Sequence, residues 1–162
     1  MIITQQYNTI PYLEHNQSHI FKMCYDVINK MKGDSMNIFV QEVNFTFDET
    51  VERLTKGLAE QKFGVLSTIP LSDKFIDKGL EFKGRIKILD VCNPIEAYSV
   101  YKIDPLAINF LPCKFVIREE NDKVTIEMIR PTDLISLMNN DALTRFAGTI
   151  ETQLIDVVRK IK

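Results

Sequence analysis

Cys92 and Cys113 are the residues with the clearest chemical potential in this chain. They flank a helix-forming stretch in DVCNPIEAYSVYKIDPLAINFLPC, residues 90–113. Cys92 stands where a strand pattern gives way to Asn93-Pro94. Asparagine is a good N-cap, and proline suits the first helical position, where no amide hydrogen is missed. A thiol at a helix N-terminus feels the positive end of the dipole, which lowers its pKa and raises its thiolate fraction. Cys92 is therefore the candidate reactive, catalytic residue. Asn93 can cap the helix or donate its amide to a ligand, and the Tyr98 hydroxyl can line a cleft beside Cys92. Cys113 lies on the strand after the helix, so the two cysteines meet if their strands are neighbours.

Several chemistries compete for these residues. A thiol–disulfide pair needs Cα atoms within about 7 Å. A pocket at the helix N-terminus suits a small anionic group. A metal site needs three or four soft or nitrogen ligands. His15 and His19 lie in a distant segment and no CxxC occurs, so neither metal nor cofactor is expected. Folding alone is the rival explanation, with both cysteines as small buried side chains and Asn-Pro present only to start a helix. Cys24 reads simply as a core residue. Glu49, Glu52 and Arg53 read as a solvated helix face, and KGDS at 32–35 lacks the spacing of a phosphate loop. Arg118 and Glu127 are placed to face each other across a hairpin, which is more often structural than catalytic.

The elements that must position these residues follow from periodicity and punctuation. Ser18 can cap an amphipathic helix over 19–31, ended by Gly33. A strand spans about Ile38 to Phe47, and Asp48 caps a helix of about 49–62. Strands over 65–71 and 85–91 enclose a short helix capped by Ser72 or Asp73. The Asn93-Pro94 helix is expected to bury Ile95, Tyr98 and Val100 or Tyr101, and to end near Asp104-Pro105. Ala107 to Glu119 reads as a long strand interrupted by Pro112, a sign of an edge, bulge or bend. A turn at 120–123 leads into its hairpin partner, Val124 to Ile129. Pro131 opens a helix, and 139–141 cap a last one of about 142–161, apolar at intervals of four and three. The expectation is an α+β fold: a mixed sheet of four to five strands covered by helices, over 38–162, with an N-terminal extension of 1–37 carrying one helix.

Composition narrows the function. The 162 residues suffice for one domain with a real core. A formal net charge of −2 argues against a nucleic-acid binder, which normally shows a basic surplus. No apolar run approaches the ~18–20 residues that span a bilayer, so no membrane partner is expected. The N-terminal stretch has neither a basic nor an apolar leader region, which reads as cytoplasmic. Three cysteines fit that compartment, being odd in number and too few for a disulfide framework.

From Phe45 onward the chain resembles the family known as domain of unknown function 302. The resemblance rests on FDETVERL at 47–54, FGVL at 63–66 and above all ILDVCNPIEAY at 88–98, with LPCKFVIRE at 111–119 and NNDAL at 139–143. Arg130 departs from it, since an acidic residue is common there in the family. The resemblance implies a small α+β fold and a homodimer, but no agreed activity. Three functions follow as expectations. The first is a module binding an unknown small molecule in a pocket bordered by Cys92, Asn93, Tyr98 and Cys113. The second is a thiol-dependent redox enzyme or sensor using Cys92. The third is a structural or interaction protein without a site.

Overall fold

A computed structural model describes residues 38–161; the helix expected over 19–31, with His15, His19 and Cys24, lies outside them. Eleven elements follow in the described chain: β1 Ile38–Val43, α1 Phe47–Glu60, β2 Gly64–Pro70, α2 Leu71–Asp77, β3 Arg85–Cys92, α3 Pro94–Ile103, a 3-10 helix Pro105–Phe110, β4 Cys113–Glu120, β5 Lys123–Ile129, α4 Pro131–Ser136 and α5 Asp141–Arg159. The strands form one sheet in the order β1-β5-β4-β3-β2. The α+β class is as the patterning implied. Every neighbouring pair is antiparallel, however, where a mixed sheet was expected. A helix between two strands permits a parallel crossover, which a mixed sheet would contain. Instead α3 and the 3-10 helix lead the chain back at the end of the sheet where β3 finished, so β4 returns alongside β3 in the opposite direction.

Local chemistry explains where the elements begin. Thr46, not Asp48, caps α1: its hydroxyl accepts from the Glu49 amide while the Glu49 carboxylate accepts from the Thr46 amide, a capping box. That box draws Phe47 into the helix and ends β1 early. Asp48 instead receives two hydrogen bonds from Arg85, at 2.9 and 2.7 Å. Those bonds hold its carboxyl below the usual range. Asn140 caps α5 by accepting from the Ala142 and Leu143 amides. The β4–β5 hairpin turns on Asn121 and Asp122, whose φ angles of 50° and 60° match the two left-handed positions of a type I′ turn. The long strand expected from Ala107 is not formed. Asp104 caps the 3-10 helix through the Leu106 amide, the Leu111–Pro112 bond is cis, and β4 starts only at Cys113.

Two apolar clusters hold these elements together. The larger packs Leu54 and Leu58 of α1 and Leu154 and Val158 of α5 against Leu89, Val91, Phe115, Ile117, Ile126 and Met128 on one face of the sheet. Each such side chain contributes about 1.5–3 kcal/mol through burial. Gly57 lets α1 and α5 approach closely, since a Cβ there would lie 3.0 Å from Val157 Cγ1. The smaller cluster joins Val100, Ala107, Ile135, Leu143 and Ala147, away from the centre of the sheet. Phe146 of α5 packs against both.

Candidate functional site

Asn93 does what its type and position implied. Its side-chain oxygen accepts from the Ile95 and Glu96 amides at 3.1 and 3.5 Å, and Pro94 follows in the first turn. Asn93 is buried, and the capping sets the rotation of α3. Positions 93, 96, 97 and 100 share one helical face by the three-and-four rule, and all four line a small space beside Cys92. Ile95, Tyr98 and Tyr101 therefore turn outward, at 72%, 62% and 47% exposure; of the residues expected on the buried side, Val100, offered as the alternative to Tyr101, is the one that is buried. Tyr98 lines neither cavity described here, and its ring lies under Lys102 Nζ, 5.0 Å from the centroid.

The two cysteines do come together. Cys113 pairs in register with Val91, the residue before Cys92, and both cysteines line the same space of about 30 Å3. Both are free thiols, each partly buried. The helix dipole was expected to depress the Cys92 pKa, yet burial pushes it up. Burial is the cause, and no hydrogen bond among the described residues offsets it. Asn93 occupies the amides of Ile95 and Glu96, and among the described residues no hydrogen bond reaches the Cys92 sulfur. Cys113 is affected more strongly: burial, reinforced by the neighbouring Cys92, lifts its pKa to about 11.

The roomy cavity opens at Cys113 and not at Cys92. A cleft of about 410 Å3 shares Val100, Leu111, Cys113, Phe146 and Ile150 with the small space. Its remaining walls include Phe110, Pro112, Leu134, Ile135, Leu143 and Ala147, with Asp90, Asn109 and Lys114 as polar members. The volume lies within the ~300–1,000 Å3 typical of small-molecule sites, whose linings are mainly apolar with few polar groups. The cleft follows the seam between the two apolar clusters. It also lies where the sheet forks: the β4–β5 register stops at Phe115↔Met128, while β3–β4 continues to Val91↔Cys113 and β1–β5 to Ile38↔Ile129.

The cleft's polar side is tied to the sheet. Ser67 donates to Asp90 Oδ2 at 2.6 Å, and Lys114 Nζ lies 3.9 Å from Asp90 Oδ1. On its other side Pro131 belongs to a chain segment anchored by Glu151. That buried carboxylate accepts from the Thr132 amide and hydroxyl and from Arg130 Nη1 at 2.8 Å. Burial works to raise its pKa, but the bonds from Thr132 and Arg130 outweigh it and leave the group below the usual glutamate range. Arg130, the departure from the family pattern, thus has a partner in Glu151. Glu151 was not singled out in the sequence, and Leu134, Leu143, Ala147 and Ile150 were read only as apolar helix positions and not as site residues; a glutamate among the apolar positions of α5 was the available signal.

Arg118 and Glu127 do meet, through bonds of 2.9 and 3.1 Å, a bidentate pair on the hairpin. No group of three or more His, Cys, Asp or Glu among the described residues could hold a metal ion. No helix among them is long and apolar enough to cross a membrane.

Comparison with known proteins agrees with this architecture. The chain is similar to an uncharacterised conserved protein from Bacillus stearothermophilus of known crystal structure. The two share 38% identity and a TM-score of 0.76 over 79% of this chain and 100% of that one. No curated protein matches. Residues 39–161 match the family described as domain of unknown function DUF302, and with that span and that structural likeness the chain belongs to the DUF302 family.

Proposed function

We propose that this protein is a small-molecule-binding module whose site is the cleft at the sheet fork, with Cys113 in its wall. The observation that supports this reading is the cleft itself, about 410 Å3 and mostly apolar in its walls. Cys92 and Asn93 stand behind it as the inner support of α3, and Tyr98 stands outside it. Redox chemistry at Cys92 is the weaker reading, because a thiol with a raised pKa is a poor nucleophile at neutral pH.

Ala147 is a buried, minimal side chain in the cleft wall. Ala147→Phe is expected to fill the cleft and abolish binding of small apolar compounds. In a thermal-shift screen of aromatic and aliphatic fragments, wild type should gain stability from hits by mass action. The variant should gain none, whatever overpacking costs its own melting point, provided that it still unfolds cooperatively. Hits that stabilise both proteins equally would place binding elsewhere.

Self-association rests on a separate observation. Ile95, Tyr98 and Tyr101 lie along the outer side of α3, and Leu106 and Ile108 of the 3-10 helix are exposed as well. Exposed apolar side chains grouped in this way mark interaction surfaces, and we propose that a second copy of the chain covers them. Ile95→Asp with Tyr98→Asp is expected to halve the mass measured by light scattering at micromolar concentration. A wild type already monomeric at that concentration would sink the idea.

A further inference from the structure

We infer that the cleft selects apolar monocarboxylates, with the ligand's carboxylate on Lys114 and its apolar body between Phe110, Leu134 and Phe146. This deepens the binding-module reading and rests on it. The apolar walls favour the body of such a ligand, so its head must be recognised by the few polar groups present. Of these, Asp90 is already served: Ser67 donates to one of its oxygens at 2.6 Å, and Lys114 faces the other. Asn109 uses its amide nitrogen on the Leu106 carbonyl at 2.9 Å. Lys114 differs from both. Its ammonium carries three donors. Among the described residues its ionic contact is Asp90 at 3.9 Å, beyond hydrogen-bond distance. The Lys114 side chain is half exposed and no hydrogen bond ties it to the largely buried Asp90, so its donors can turn toward a ligand while Asp90 keeps the bond from Ser67. The spare capacity at this cleft is therefore donor capacity with positive charge, which a carboxylate complements and an amine does not. Asp90 adds selectivity for a single negative charge: a second ligand carboxylate would approach its own and be repelled.

Three soluble probes that share one apolar body separate head from body: 4-phenylbutyrate, 4-phenylbutan-1-ol and 4-phenylbutylamine, titrated calorimetrically into the whole protein. The acid is expected to bind about 10-fold or more tighter than the alcohol or the amine, the scale of one charge-assisted hydrogen bond. Lys114→Met should bring the acid down to the affinity of the alcohol while leaving the alcohol unchanged. Equal binding of acid and alcohol to wild type, or an acid preference that survives Lys114→Met, overturns the carboxylate assignment and leaves the cleft as the site. Failure of all three probes to bind wild type overturns the binding-module reading itself.

Discussion

Glu151→Ala is expected to destabilise the protein by about 2–3 kcal/mol, measured by urea unfolding, the scale of losing several hydrogen bonds to a charged acceptor. The side chain is 11% exposed and accepts from the Thr132 amide, the Thr132 hydroxyl and Arg130. Its removal leaves the Thr132 donors without that acceptor. Arg130 is 37% exposed and can rehydrate, so its share is discounted for solvent screening. Glu151→Gln should cost less, because the amide oxygen still accepts from Thr132 while the charge on Arg130 loses its partner. The pH dependence has a definite sign. The folded pKa lies below the ordinary value, so the charged carboxylate stabilises the fold fully above about pH 4.3 and loses this contribution as pH falls through the lowered value. The gap between wild type and Glu151→Ala should therefore hold steady from about pH 5 upward and shrink below about pH 4. A gap independent of pH would show that the charge of Glu151 does not matter. Because Thr132 follows the cleft residue Pro131, the same substitution is expected to loosen one wall of the site.

Cys113 is expected to be alkylated by iodoacetamide at pH 7 roughly 100-fold more slowly than an unhindered cysteine, from thiolate fraction alone, given a pKa raised from 9.0 to about 11. Cys92 should also be slow, but less so, since burial raises it without so large a shift. Mass spectrometry of time points at pH 7, 8 and 9 resolves the two peptides. Both rates should still climb with pH through 9. A Cys92 rate that levels off near pH 7 would mean an activated thiolate and restore the redox reading. A ligand seated in the cleft should slow Cys113 further, because this thiol lines its wall.

The different fates of these residues trace to the reach of the interactions that place them. Asn93-Pro94, the Asn140 cap and the turn at Asn121-Asp122 were legible because each depends on bonds spanning two or three residues. The apolar rhythm of α5 was legible for the same reason, since one helix presents one face to one core. The orientation of α3 was not, although its sequence was read residue by residue. It carries two stripes, one of Ile95, Tyr98 and Tyr101 and another of Asn93, Ala97 and Val100. The buried side is the one that carries the capping Asn93 and Val100. Apolarity alone left Val100 and Tyr101 as alternatives and placed Ile95 and Tyr98 on the wrong side.

Cys92 and Cys113 show the same division at the scale of the site. Local sequence determined that Cys92 ends a strand, that a capped helix follows it, and that Cys113 opens the way into the next strand. Only the tertiary structure decided that β3 and β4 are antiparallel neighbours and that Asn93 takes the amides a thiolate would have used. It also decided that the sheet forks at Phe115↔Met128. Spacing along the chain carries information about a neighbour a few residues away. A cleft between two apolar clusters depends on where Leu134, Phe146 and Lys114 arrive after the whole chain has packed.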